Sequence, residues 1–223
     1  MPYFFPFISV LIGYVLALFW QPKSRKNLKL ILAFSGSFLL SMTVIHLLPE
    51  LFQSGQKHLG LWIMGGIVTQ IVLEYFSKGA EHGHVHKDKS HAAMAIPWAL
   101  FVSLAIHALF EGIPVHHYPA LAFGIAIHHF PIAIILTLFL VQAHLKPWTV
   151  AVFMVLFAAM TPLGTLLAQW PQISAIENQL TAWVIGILFH IASTIIFESS
   201  EGHTFNLAKL AMIVFGILAA IPL

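Results

Sequence analysis

Cysteine is absent from the 223 residues, which excludes a disulfide framework, a thiolate metal site and a thiol nucleophile. Charge is scarce: Asp, Glu, Lys and Arg make up 8% of the chain, against roughly 25% in soluble domains. Such a chain cannot cover a water-facing surface with ions, so an ordinary soluble globular protein and a disordered chain are both excluded. The net charge of +2, counted with neutral histidine, is too small to attract a polyanion, so no nucleic-acid partner is expected. His-Glu-x-x-His, the helical zinc-protease signature, does not occur.

What is present is hydrocarbon and histidine. Hydrophobic residues make up 59% of the chain, and 14 histidines stand against 18 charged side chains. The expected solvent is a lipid bilayer, which a helix crosses with about 20 apolar residues. Eight segments qualify or nearly do: Phe4–Trp20, Leu28–Leu51, Leu61–Phe76, Ala92–Val115, Ala120–Val141, Thr149–Ala168, Leu180–Phe197 and Leu207–Ile221. The third and last are short. Breakers such as Gln21-Pro22, Ser54-Gly55, Tyr118-Pro119, Lys146-Pro147 and Trp170-Pro171 mark the connections. The expected fold is therefore an all-α polytopic membrane protein, with residues 1–223 forming a single transmembrane domain. The apolar N-terminus lacks a basic region and a small-residue cleavage site, so it reads as a retained first helix.

Basic residues set the direction. Lys23, Arg25, Lys26 and Lys29 follow the first span, Lys78, Lys87 and Lys89 the third, Lys146 the fifth and Lys209 the seventh. Lys57 alone lies on the other side, so nine of ten face one way. Cytoplasmic loops carry the excess of Lys and Arg, which predicts that both termini are extracytoplasmic.

Ionisable groups inside a bilayer are expensive and are usually functional. His107 and Glu111 in the fourth span are four positions apart and share a helix face. His128-His129-Phe130-Pro131 follows in the fifth span. His107 and His128 each lie about 12 Å from the outer ends of their spans at 1.5 Å per residue. In antiparallel neighbours His107, Glu111 and His128 would share one layer and offer a zinc-type ligand set. The bland alternative is a hydrogen-bonded pair that locks two helices. His190 in the seventh span has a similar depth and reads as a further ligand, a proton relay or a partner for a neighbouring Ser or Thr. His46 and Glu50 end the second span, as an entrance site or an interfacial helix end. The loop at about 78–91 carries His82, His84, His86 and His91 on the expected cytoplasmic side. Its composition suits metal collection. Glu198, Glu201 and His203 follow the seventh span as an exit site or a solvated cluster.

At these residues the sequence resembles the ZIP (Zrt/Irt-like) family of divalent metal transporters over nearly its whole length. His46-Leu47-Leu48-Pro49-Glu50 is similar to the family's second-helix ending. His107-Ala108-Leu109-Phe110-Glu111-Gly112 resembles its fourth-helix motif His-Asn-x-x-(Asp/Glu)-Gly. His128-His129-Phe130-Pro131 falls where His-Glu-x-Pro or Gln-Asn-x-Pro is usual, and Thr161-Pro162-Leu163-Gly164 where Glu-Pro-Leu-Gly is usual. The stretch from Gly202-His203 through Gly216 resembles the family's last-helix opening. The resemblance implies an eight-helix bundle, a metal path between helices 2, 4, 5 and 7, and movement of metal into the cytoplasm. It also implies a binuclear site, of which this chain keeps one half. His107, Glu111 and His128 match the first position, while Ala108, Ile132 and Thr161 stand where the second position has ligands, and His129 replaces an amide or acid. One main site of His107, Glu111 and His128 is expected, completed by His129 or His190. With few carboxylates it should favour zinc over manganese.

The expected function is thus zinc import by alternating access, without enzymatic chemistry, with the metal as cargo and no cofactor. The alternative is a membrane metal sensor that binds without flux. A bis-His haem protein is disfavoured by Glu111 beside the iron. A bacterial cytoplasmic membrane is the expected location, and Gly65, Gly66 and Gly186 would allow close helix packing within one chain or in a homodimer.

Overall fold

A computed structural model describes residues 2–19, 26–77, 97–198 and 207–223, the side chains of Lys26 and Glu198 excepted. The predicted His82, His84, His86 and His91 loop and the residues Glu201 and His203 lie outside the described residues.

Every regular element among the described residues is helical: α1 (Phe4–Phe19), α2 (Lys26–Ser41), α3 (Leu48–Gln53), α4 (Leu59–Ser77), α5 (Trp98–Gly112), α6 (Leu121–Gln142), α7 (Pro147–Leu167), a single turn α8 (Pro171–Ser174), α9 (Glu177–Glu198) and α10 (Leu207–Ala220). A π-helical stretch, Met42–Leu47, joins α2 to α3. Its cause lies in the next turn. Pro49 has no N–H to give and its ring crowds the carbonyl four residues back, so the helix widens. The Leu48 N–H accordingly bonds the Thr43 carbonyl, five residues back.

By length and composition, six of these helical stretches can cross a membrane: Asn27–Gln53, Leu59–Ser77, Trp98–His116, Leu121–Gln142, Pro147–Leu167 and Glu177–Phe197. Phe4–Phe19 and Leu207–Ala220 are apolar but shorter. The third predicted span is longer than its apolar core suggested, because Leu59, Gly60 and Ser77 extend the helix.

Helices pack in four close pairs: α1 with α6, α2 with α10, α4 with α9, and α5 with α7. Each pair is parallel. Ser9 Oγ donates to the Ala126 carbonyl and Gly13 lies against Phe130 and Ala133. Phe34 stacks on Phe215 while His46, further along, reaches Ala220. α6 is apolar nearly all round and buried on most sides, as a helix at the centre of a bundle should be. α4 lies at the other extreme, with Leu61, Val68, Ile71 and Tyr75 exposed.

Two crossings are set by glycine. A Cβ on Gly112 would lie 2.1 Å from the Thr161 carbonyl oxygen, and Gly164 Cα is 3.1 Å from the same point, so α5 and α7 meet backbone to backbone. A Cβ on Gly66 would lie 1.8 Å from the Trp183 carbonyl oxygen, again 3.1 Å from a glycine, Gly186. The close packing expected of Gly66 and Gly186 is therefore made within one chain. Thr165 Oγ1 donates to the Gly112 carbonyl at 2.8 Å and fastens the first crossing.

Candidate metal centre

The buried residues of α5 are Leu100, Ser103, Leu104, His107, Ala108, Glu111 and Gly112. They recur at the three- and four-residue intervals of one helix face, so the stripe that buries α5 is the stripe that carries its polar groups. Packing against α4 fixes the stripe where Ser103 Oγ donates to the Leu73 carbonyl at 2.6 Å.

On that stripe His107 Nε2 lies 3.3 Å from Glu111 Oε1, with the side chains 2% and 0% exposed. α6 supplies the rest. The His128 ring centroid lies 6.5 Å from that of His107, nearly perpendicular to it. His107, Glu111 and His128 each offer a ligand atom, all within 4.8 Å of one another, and all three residues are buried. The sequence layer is thus assembled, although α5 packs along α7 and meets α6 through side chains rather than as a close neighbour.

His129 takes a different place from its neighbour. Its Nε2 lies 2.9 Å from the second Glu111 oxygen, Oε2. Its ring lies 5.4 Å from that of Phe157 on α7. Glu111 is therefore held between two imidazoles, one at each oxygen. Burying a carboxylate is costly without such partners, and an outer hydrogen bond of this kind orients a ligand and tunes its basicity.

The residues fit zinc. Tetrahedral ligands at about 2.0–2.1 Å from the metal are about 3.3 Å apart, the spacing that His107 and Glu111 already have. Imidazole with one carboxylate suits zinc-like ions better than oxygen-seeking ones. Three protein ligands leave a position open, as in exchangeable zinc sites rather than closed structural ones. Ala108 and Ile132 lie in the apolar core with Leu104, Leu136 and Phe157, and Thr161 is buried with no hydrogen-bond partner for its hydroxyl.

The remaining predicted residues lie elsewhere. His190 on α9 pairs with Glu74 on α4 at 2.6 Å, their side chains 20% and 25% exposed. Its carbonyl accepts from Ser193 and Thr194. His46 sits within the π-helical stretch, and its Nε2 bonds the Ala220 carbonyl at 2.8 Å, while Glu50 is exposed. Glu74 is missing from the sequence expectations, although an acidic residue in an apolar span is itself a signal. His117 and Glu177 meet at one end of the bundle, where His117 Nδ1 lies 3.0 Å from Glu177 Oε1.

The fold and site define a helical, membrane-type protein with a buried histidine–carboxylate cluster able to hold a metal ion. The chain is similar to the zinc transporter SLC39A7 of Sus scrofa, with 31% identity over 85 residues, 30% of this chain and 18% of that protein. The match thus spans less than a fifth of that relative's length. No protein-family model matches the chain.

Proposed function

We propose that the protein is a divergent ZIP-family importer that carries zinc across a bacterial cytoplasmic membrane through the site of His107, Glu111 and His128. The carrying observation is the buried cluster itself: three ligand atoms within 4.8 Å of one another on two helices that can span a membrane. The partial likeness to a zinc transporter supports it. In this reading residues 1–223 form one transmembrane domain with eight crossings and both termini outside. The parallel pairing supports that count. Spans 1 and 5, 2 and 8, 3 and 7, and 4 and 6 run the same way in pairs, as eight alternating crossings require.

The ion is taken up by neutral imidazoles and an ionised Glu111, so any proton held on those ligand atoms leaves as metal enters. His129 holds Glu111 in place through its far oxygen. His190 pairs with Glu74 and stands outside the three-residue group, which argues against the ligand role. His46 and Glu50 mark the outer mouth, and the loop histidines with Glu198, Glu201 and His203 collect or release metal on the cytoplasmic side. The chemistry is ligand exchange, with no covalent step.

The test is radiolabelled zinc uptake into proteoliposomes, comparing wild type with His107→Ala and His128→Ala. Saturable uptake lost in both variants is the expected result. A second reading, a non-transporting metal sensor, is favoured by the apolar packing of Ala108 and Ile132 where a second ion would need ligands. Zinc binding without flux would establish it.

A further inference from the structure

Resting on the zinc site proposed above, we propose that Thr161 is a further binding residue of that site: its hydroxyl accepts a hydrogen bond from the water that fills the ion's fourth position. His107, Glu111 and His128 supply three ligand atoms, and a zinc site with three protein ligands keeps its fourth position for water or an exchanging group. A polar group just outside the ligands orients what is bound there.

The sequence sets Thr161 beside the cluster. Phe157, Thr161 and Thr165 follow one another at four-residue intervals on the buried face of α7. The Phe157 ring lies 5.4 Å from that of His129. One turn beyond Thr161, Thr165 Oγ1 donates to the Gly112 carbonyl at 2.8 Å. Thr161 thus stands between His129 on α6 and Gly112 on α5, level with the contact of Glu111 and His129. Gly112 makes room for it. With no Cβ on the residue after Glu111, the Thr161 backbone comes directly against α5.

The hydroxyl is also not used in the way usual for this chain. Thr43, Thr69, Thr137, Thr165 and Thr194 each donate to the carbonyl four residues back in their own helix, which satisfies a hydroxyl locally. Thr161 does not. It is 1% exposed, and its Oγ1 has no hydrogen-bond partner. Thr181 shares that state, but it lies in the second turn of α9, a helix that supplies nothing to the three-residue group. Leaving a buried hydroxyl unsatisfied is costly. Beside a cluster able to hold an ion, it keeps an acceptor available for the ion's own water. The competing account is packing, in which Thr161 fills the α5–α7 crossing and its oxygen has no task.

The experiment is calorimetric titration of the full-length purified protein with zinc chloride, comparing wild type with Thr161→Val and Thr161→Ser. His107→Ala supplies the heat of zinc binding outside the cluster, which is subtracted. Thr161→Val keeps the shape and loses the oxygen, so it should bind zinc about 10- to 100-fold more weakly. Its metal-free form should melt no lower than wild type, because the group removed was unsatisfied. Thr161→Ser, which restores the hydroxyl, should bind close to wild type. Wild-type affinity in Thr161→Val, equal weakening in Thr161→Ser, or a clear fall in the melting temperature of metal-free Thr161→Val overturns the proposal. Zinc uptake into proteoliposomes separates this role from the transport reading. Wild-type vesicles that take up no zinc while the binding pattern holds would end the transport reading and leave the role of Thr161 standing. Saturable uptake with unchanged binding in Thr161→Val would do the reverse.

Discussion

Two imidazole–carboxylate contacts lie beside two glycine crossings, and burial separates them. At the α5–α7 crossing, Gly112 and Gly164 draw the helices together next to Glu111, which is 0% exposed and has imidazoles at both oxygens. At the α4–α9 crossing, Gly66 and Gly186 do the same one turn before His190, yet the His190–Glu74 pair is 20% and 25% exposed. The backbone device is shared and the surroundings differ. Glu111 faces α6, an all-round buried helix with two histidines of its own, whereas α4 presents most of its surface outward. One pair of groups becomes part of a buried donor cluster when a third helix closes over it with further donors, and stays a two-residue contact when none does.

The largest expected difference is in flux. Glu111→Gln should reduce zinc uptake to background in proteoliposomes, because it removes the only carboxylate of the cluster, whereas Glu74→Gln should retain saturable uptake. Equal losses would erase the contrast. Next come the glycines. Gly112→Ala and Gly66→Ala each force a Cβ into a backbone carbonyl and should each cost about 3 kcal/mol, the upper end for overpacking, read as a fall in detergent melting temperature. Gly60→Ala, with open space around it, is the control and should be neutral or stabilise by up to about 1 kcal/mol. His129→Gln should weaken zinc binding about 10- to 100-fold by loosening Glu111, measured by calorimetry, with uptake retained at high zinc. The smallest effect belongs to the partly exposed pair. His190→Gln, which keeps a donor for Glu74, should cost about 1 kcal/mol in stability, as interhelical hydrogen bonds between membrane spans do, in the same melting assay.

Metal uptake should also weaken as pH falls. Protons compete with the ion for the imidazole nitrogens, so zinc affinity should drop as the solution is acidified. Zinc titrations at a series of pH values check it, and a flat profile would argue against imidazole ligation.

Much of this was legible in the chain. Four-residue spacing put His107 beside Glu111, and counting rise per residue from the loops brought His128 to the same depth. Depth alone does not give lateral position. His190 has a suitable depth, but Gly186 locks α9 against α4, so its ring meets Glu74 instead. The different tasks of His128 and His129 were equally hidden, because adjacent residues on a helix point about 100° apart and the sequence does not say which faces the cluster. The π-helical stretch had a local signal in Pro49, whereas the parallel helix pairs had none: every one joins segments far apart in sequence.

That pairing has a consequence in time. Ser37 packs against Gly216, so α2 must wait for nearly the whole chain to be made before its partner exists. At about 5–20 residues per second of synthesis, that is a delay of roughly 10–40 s. Throughout it, the serine-bearing face of α2 has only earlier helices, lipid or an insertion chaperone for company. A ribosome that stalls before α10 thus leaves one face of α2 uncovered, although its partners α6 and α9 have already been made.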